Sequence, residues 1–198
     1  MGGWYPPADP RPSFNFFGSG APEVAAHVVN TWPRAKGSTR LVFLGDEVGE
    51  QVKTGVRLMR SGPPGDPVRA AYEAYLGGCG CVNDGAGARD SGGGRESWDP
   101  LTVLYAMEVV EEGAGVGGSL FEMGNAYGYN VVDAVNGSNR WIWDESVTNQ
   151  FFLRLQVANE TAAAAVERRM LDGAWRCAAA RAKATAGAVR LSDAKDEL

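Results

Sequence analysis

Hydrophobic residues along this chain alternate between helical spacing and short continuous apolar runs. After Pro22, apolar residues recur three and four positions apart as far as Pro33, which predicts a helix. Residues 40–44 are then nearly all apolar, as is typical of a buried parallel strand. Helical spacing returns over residues 46–59, with Asp46 as the expected cap, and again after Asp66. The first third of the chain therefore predicts three helices and one strand.

The middle of the chain has shorter apolar segments. Residues 77–96 are rich in glycine and show no periodic pattern, so we predict a disordered insertion there. Asp99-Pro100 then begins a strongly apolar helix. Short strands are expected at residues 120–123 and 129–132, and residues 140–143 should form a further strand because they follow an Asn-Gly hairpin signal.

The last part of the chain contains an apolar segment and an alanine-rich segment. Residues 151–155 fit either a strand or the start of a helix, and the pattern leaves both open. Residues 160–190 are rich in Ala and Arg, which predicts a helix. The alternation of helices and strands predicts an α/β fold with an appended antiparallel hairpin. We expect one domain over residues 1–176 and a helical tail over residues 177–198.

Composition narrows the class of protein. The 198 residues are 44% hydrophobic and 22% charged, as in soluble globular proteins. The net charge of −5 argues against a nucleic-acid partner, which requires a basic face. No apolar run is long enough to predict a membrane span. Cys79 and Cys81 have no nearby His or second Cys pair, so two thiols in a loop are favoured over a four-ligand zinc site.

Signals for cellular location point in two directions. The N-terminus has no charged stretch followed by an apolar segment, so no signal peptide is predicted there. The last four residues, Lys-Asp-Glu-Leu, match the endoplasmic reticulum retention signal, and sequons for glycosylation begin at Asn136 and Asn159. Two explanations fit: a leader precedes this sequence, which favours the secretory lumen, or the tail is accidental.

Three separated motifs carry a resemblance to a known enzyme family. They are Met-Gly-Gly-Trp-Tyr at residues 1–5, Ser-Phe-Asn-Phe-Phe at residues 13–17 and Ser-Trp-Asp-Pro-Leu at residues 97–101. In this order they resemble the later half of inosine/uridine-preferring ribonucleoside hydrolases, calcium-dependent enzymes that split nucleosides into ribose and base. The resemblance covers residues 1–176 apart from the insertion. It implies a mostly parallel open sheet flanked by helices.

The resemblance also implies roles for four residues. Asp99 matches the aspartate of the family's His-Asp-Pro motif and is the candidate calcium ligand, although Asp before Pro also caps helices. Asn15 matches the family's asparagine that hydrogen-bonds ribose. Ser13 stands where the family usually has Glu, which weakens the expected contact with ribose. Trp98 replaces a His, so it cannot transfer a proton; it can stack on a nucleobase or serve as a core residue.

Three further parts of the sequence give weaker evidence of function. His27, the single histidine, lies within a predicted helix among Ala and Val and is expected to have no catalytic part. Residues 113–118 are rich in glycine and follow a predicted helix. A dinucleotide-binding fingerprint follows a strand, so we do not predict a dinucleotide site there. The family's C-terminal Gly-x-Asn-x-Trp region, which packs near the site, is matched by Asn139, Trp141, Trp143 and Asp144, and we expect both tryptophans in the core.

The expected function follows from the number of residues that could coordinate calcium. Calcium takes about six to eight oxygen ligands. The family's aspartate-rich start, which supplies the general base and most of those ligands, is not in this sequence. We therefore expect a nucleoside-binding, ribonucleoside hydrolase-like protein with no catalytic residue of its own and no activity as this chain. The alternatives are a non-catalytic remnant and a riboside-binding or luminal interaction module.

A sheet that lacks its middle strands would expose apolar surface. For that reason we also expect modest solubility and possible homo-oligomers.

Overall fold

A computed structural model of the chain describes residues 1–76, 94–112 and 120–170, which form a mixed α/β structure. Its labelled helices are α1 (Phe14–Phe17), α2 (Pro22–Asn30), α3 (Asp46–Gln51), α4 (Val56–Ser61), α5 (Pro67–Leu76) and α6 (Trp98–Glu112). A further helix covers residues 159–170. Its strands are β1 (Leu41–Phe43), β2 (Lys53–Thr54), β3 (Arg95–Glu96), β4 (Phe121–Met123), β5 (Tyr129–Val132), β6 (Asn139–Ile142) and β7 (Gln150–Leu155).

The chain divides into two compact units. The first comprises Met1–Lys53 and Glu96–Ala163, and the second comprises the described parts of Thr54–Arg95 and Ala164–Leu198. The first unit contains the matched motifs at residues 1–5, 13–17 and 97–101. The candidate site therefore belongs to this unit.

The main sheet of the first unit has the strand order β1-β7-β4. β1 pairs in parallel with β7, with Val42 opposite Phe151, and β4 pairs antiparallel with β7, with Glu122 opposite Arg154. β5 and β6 form a separate antiparallel hairpin. The mixed α/β class and the hairpin are confirmed. The prediction of a mostly parallel open sheet is wrong for the described residues, because β7 has one parallel and one antiparallel neighbour.

An aromatic cluster fills the core of the first unit. Tyr5 stacks on Phe152 at 5.2 Å between ring centroids, and both side chains are fully buried. Phe43 and Trp141 pack against the same Tyr5 ring. Because aromatic rings bury large areas in defined geometries, this cluster ties the first residues of the chain to β1, β6 and β7.

One predicted helix is divided in the structure. Residues 46–59 were expected to form a single helix, but α3 ends at Gln51 and Val52 has extended backbone, with φ −105° and ψ 114°. Gly55 then has φ +111°, a left-handed value that favours glycine. In the second unit a Cβ atom on Gly55 would lie 2.3 Å from Tyr72 Cδ1. The continuous helix is therefore wrong, although the apolar spacing continues through the break.

Most other elements were predicted correctly. α2, β1, α5, α6 and β4 to β6 lie within one or two residues of the expected positions at most of their ends. β7 shows that residues 151–155 are a strand rather than the start of a helix. The short helix α1 precedes the first helix that the sequence predicted and was not itself predicted. Trp141 is in the core as expected, but Trp143 is 54% exposed, because it lies just past the end of β6.

The second unit has its own polar contacts. Thr54 Oγ1 and Tyr72 Oη share a hydrogen bond of 2.8 Å, and the Gly55 N–H donates to buried Glu167 Oε1 at 2.9 Å. Leu58 is fully buried. Four predictions lie outside the described residues. They concern the glycine-rich insertion up to residue 93 with Cys79 and Cys81, the glycine loop at 113–118, the alanine-rich helix beyond residue 170 and the tail over residues 177–198.

Among the helices of residues 1–76, 94–112 and 120–170, none combines the length and apolar character needed to cross a membrane.

Candidate functional site

The first residues of the chain run beside the carboxyl end of β1. The Gly2 N–H donates to the Leu44 carbonyl oxygen at 3.0 Å, and the Asp46 N–H donates to the Gly3 carbonyl oxygen at 2.7 Å. Gly3 has φ +91°, and a Cβ atom there would lie 2.7 Å from Tyr5 Oη, so only glycine fits. Because β1 and β7 are parallel, this edge is where α/β proteins commonly place ligands.

Ser13 joins this segment to the start of α3. Its side chain is fully buried, and its Oγ accepts a hydrogen bond from the Gly3 N–H at 2.9 Å. Partial burial raises the pKa of the Asp46 carboxyl, and a hydrogen bond from the Ser13 side chain opposes that rise, as do the N-terminal charge and Arg11. Ser13 therefore holds both the Gly3 backbone and the Asp46 carboxyl, as a hydroxyl can.

Glu47 adds a second carboxyl beside Asp46. Its Oε2 accepts a hydrogen bond from the Tyr5 N–H at 3.3 Å. Partial burial raises the pKa of Glu47 to about 7, against hydrogen bonds from its own N–H and that of Tyr5; the charges of Asp46 and Glu50 raise it further. A carboxyl that titrates near neutrality can either accept or donate a proton. Asp46 was predicted as a helix cap, but it is the first residue of α3 and Gly45 occupies the cap position. Glu47 was not predicted as a site residue, although two adjacent acids shortly after a strand were the available signal.

Asn15 lies on the outer side of the same segment. Its side chain is exposed, and Nδ2 donates to the Met1 carbonyl oxygen at 3.3 Å. Two of the residues selected from the sequence, Ser13 and Asn15, are thus brought together around residues 1–3.

Trp98 and Asp99 lie at the start of α6. Trp98 is half-buried and its Nε1 donates to the Asp46 carbonyl oxygen at 3.0 Å, so Trp98 lies beside the carboxyl pair. The Trp98 ring also packs against Gly49, where a Cβ atom could not be accommodated. Asp99 is exposed in the first helical turn, where its charge suits the helix dipole.

Metal ligands do not converge in this part of the chain. Within the described ranges, no group of three or more Asp, Glu, His or Cys side chains could hold a metal ion. Asp99 as a calcium ligand stays a prediction.

Buried amides hold the backbone of residues 2–5 from the hairpin side. Asn139 Oδ1 accepts from the Trp4 N–H at 2.7 Å, and Asn139 Nδ2 donates to the Trp4 carbonyl at 3.0 Å and to Asn130 Oδ1 at 2.9 Å. Asn130 Nδ2 donates to Tyr5 Oη, which donates to the Gly2 carbonyl, each at 3.1 Å. Burial raises the pKa of Tyr5 well above its usual value, so its hydroxyl stays a donor at neutral pH.

His27 is exposed near the end of α2. The helix predicted around it is confirmed, and the absence of a catalytic part stays a prediction.

The resulting site combines hydrogen-bond donors and acceptors around a glycine turn. Asn15 offers an amide, and Asp46 and Glu47 offer partly buried carboxyl groups. The Gly2–Gly3 backbone is held between them by its hydrogen bonds. Carboxylates accept hydrogen bonds from hydroxyl groups, and amides both donate and accept them. Such a set suits a small polyhydroxylated ligand.

Comparison with known proteins adds no family to this description. No protein-family model matches the chain, and no curated protein or solved structure matches it either. The likeness to ribonucleoside hydrolases therefore rests on the three sequence motifs.

Proposed function

We propose that this chain is a ribonucleoside hydrolase-like protein that binds the ribose of a nucleoside and does not, by itself, hydrolyse the N-glycosidic bond. The observation that carries the proposal is the gathering of Ser13, Asn15 and the Asp46–Glu47 pair around Gly2–Gly3. The two residues selected from the motif by resemblance thus lie in one polar site at the carboxyl end of a parallel strand. The ribose hydroxyls are the complementary groups.

Three requirements of the reaction explain why we expect no hydrolysis. A water molecule must be activated, the oxocarbenium-like ribosyl centre must be stabilised, and the leaving base must be protonated or otherwise held. In the resembled family, calcium binds both the attacking water and ribose hydroxyls. The described residues bring no group of three metal-binding side chains together, and the indole N–H of Trp98 donates hydrogen bonds but is not acidic enough to transfer its proton to the base. Ribose recognition is thus the part of the function that this chain supports.

The binding proposal is tested by nuclear magnetic resonance titration of the full chain with inosine, uridine and ribose. We expect saturable shifts of the Gly2 and Gly3 amides and of the Asn15 side-chain amide, because these groups lie at the proposed site. Asn15→Ala should weaken binding several-fold, as expected for the loss of one hydrogen bond. Asn159→Ala, which removes a half-buried amide from the start of the last described helix, is the matched control.

A second ligand separates ribose recognition from recognition of the base. An inosine analogue that lacks the 2′- and 3′-hydroxyls should bind more weakly than inosine, because hydroxyl groups are the proposed contacts. Equal binding of the two nucleosides, or the lack of any saturable shift, would contradict the proposed function.

Absence of catalysis is tested by a reducing-sugar assay with inosine and uridine, in the presence and absence of calcium. We expect no release of ribose above the uncatalysed rate. Asp99→Ala serves as the variant that distinguishes a contaminant from the chain itself. Release of ribose that Asp99→Ala abolishes would contradict the proposal, because it would show that the chain is an active hydrolase that depends on Asp99.

A further inference from the structure

We propose that Asn136 is an acceptor for an N-linked glycan and that Asn159 is not. Both asparagines begin sequons, Asn-Gly-Ser at residues 136–138 and Asn-Glu-Thr at residues 159–161. A glycan is bulky and hydrated, so an asparagine that carries one lies at the surface and in a loop. The two sites differ in both properties.

Asn136 lies in the exposed turn between β5 and β6. Residues 133–136 are all exposed, and Asn136 Oδ1 accepts a hydrogen bond from the Ser138 N–H at 2.8 Å. Asp133 closes the same turn by accepting the Gly137 N–H through its carbonyl at 3.0 Å. The bond from Ser138 uses the side-chain oxygen of Asn136, and the bond between Gly137 and Asp133 does not involve that side chain, whereas a glycan is attached to Nδ2. The glycan can therefore be attached without breaking the pairing of β5 with β6.

Asn159 lies in a different backbone environment. It is half-buried and is the first residue of the helix over residues 159–170. The Thr161 N–H donates to the Ala158 carbonyl at 2.9 Å, so the whole sequon is part of the first helical turn. A glycan on Asn159 would need room beside a half-buried side chain at the start of a helix, whereas Asn136 is exposed in a turn.

The surface next to Asn136 suits a sugar ring. Phe17 lies against Gly137, because a Cβ atom on Gly137 would be 2.9 Å from Phe17 Cβ. Phe17 is 38% exposed, and it forms an edge-to-face pair with Phe14, which is 70% exposed. The apolar face of a pyranose packs well on an aromatic ring, and it would cover apolar surface that is otherwise in water.

The chemistry is a transfer without oxidation or reduction. Asn136 Nδ2 forms a bond to the anomeric carbon of an oligosaccharide carried on a polyprenyl pyrophosphate. The bond from that carbon to the phosphate oxygen breaks, and the lipid pyrophosphate leaves. The amide proton passes to a base of the transferase.

The full chain, placed behind a cleavable leader and translated with microsomes of the endoplasmic reticulum, provides the test. We expect one endoglycosidase-sensitive glycan, lost in Asn136→Gln, retained in Asn159→Gln and retained in Ser138→Thr, which keeps the sequon. Protection from added protease identifies imported chains. Imported chains without a glycan, or a glycan that depends on Asn159, would overturn the proposal.

A second measurement tests the sugar-packing surface. Thermal unfolding of the glycosylated chain should occur at a higher temperature than that of the enzymatically deglycosylated chain. In Phe17→Ala this difference should shrink, because the aromatic face is gone. An equal difference in Phe17→Ala would overturn the packing of the sugar on Phe17, and the glycan mapping reports independently on the acceptor site.

Discussion

Glu47 is the residue at which burial most clearly alters chemistry. Its pKa is raised from an ordinary value of 4.5 to about 7, chiefly because burial disfavours the charged form. The folded chain therefore binds a proton at Glu47 more tightly than the unfolded chain does. Stability from this group is greatest below 4.5 and is lost as the pH rises towards 7.

The pH dependence of unfolding is the corresponding prediction. In Glu47→Gln the side chain stays neutral, and its amide oxygen can still accept the Tyr5 N–H. Denaturant titrations from below pH 4.5 to above pH 7 should show wild type losing stability relative to this variant as the pH rises. The difference should be about 2 kcal/mol after allowance for partial exposure.

A matched control lies on the same helix. Glu50 is exposed in α3, so Glu50→Gln removes an acid without removing a buried one. It should change the pH profile far less than Glu47→Gln. Parallel profiles for wild type and Glu47→Gln would show that Glu47 is not the titrating group.

Individual site residues were predictable to different degrees. Asn15 and Ser13 belong to a short contiguous motif, and Asn139 belongs to another, so each can be selected from the sequence. Glu47 and the Tyr5–Asn130 contact were not found, because their significance comes from burial between segments far apart in the chain. Burial of that kind depends on tertiary packing, which periodicity does not report.

At the scale of elements, the start of α5 is the clearest case in which a local sequence signal predicted a helix boundary correctly. Asp66 Oδ1 accepts hydrogen bonds from the Val68 N–H at 2.7 Å and the Arg69 N–H at 3.0 Å. These amides have no partner within the helix, so the carboxylate caps it. The dipeptide Asp66-Pro67 predicted this start from sequence.

Removing the cap gives a prediction for α5. Asp66→Ala should lower the free energy of unfolding by about 1 kcal/mol, and Asp66→Asn should lower it by only a few tenths because Asn caps comparably. Urea denaturation of both variants at neutral pH measures the difference. The capping role would be excluded by an Ala variant as stable as wild type, or by an Asn variant as unstable as the Ala variant.

The division between α3 and α4 shows where local signals fail. Apolar residues keep helical spacing across residues 48–59, yet the backbone leaves the helix at Val52 and turns at Gly55. The glycine was a weak signal, since an isolated glycine is tolerated in helices at a cost of about 1 kcal/mol. Likewise, residues 151–155 could not be assigned until β1 and β4 were seen to pair with them.

At the scale of the whole molecule, the α/β class was predictable and the arrangement of strands was not. Alternating helical and apolar-strand patterns are local properties, and they indicated the class. The order β1-β7-β4 joins segments separated by more than a hundred residues in sequence for β1 and β7. The apolar run at residues 40–44 predicted a parallel strand, and β1 does pair in parallel with β7. The mostly parallel open sheet was implied by the family resemblance, and the described residues form a mixed sheet instead, because β4 pairs antiparallel with β7.

Self-association is the prediction that belongs to this scale. Val24 and Val28 lie one turn apart on α2 and are 60% and 52% exposed, and Phe14 of the neighbouring α1 is 70% exposed. Contiguous exposed apolar side chains favour association, because contact removes them from water. The sedimentation coefficient of the pure chain should therefore rise with concentration.

The substitution Val28→Lys should suppress this rise, because it places a charge within the apolar surface formed by Phe14, Val24 and Val28. His27→Lys introduces the same side chain at an adjacent exposed position and should leave the rise largely unchanged, since His27 does not contribute apolar surface. A wild-type chain that sediments as a monomer at every concentration would contradict the prediction. Equal suppression by both variants would contradict the apolar face of α2 as the cause of association, because His27→Lys leaves Phe14, Val24 and Val28 unchanged.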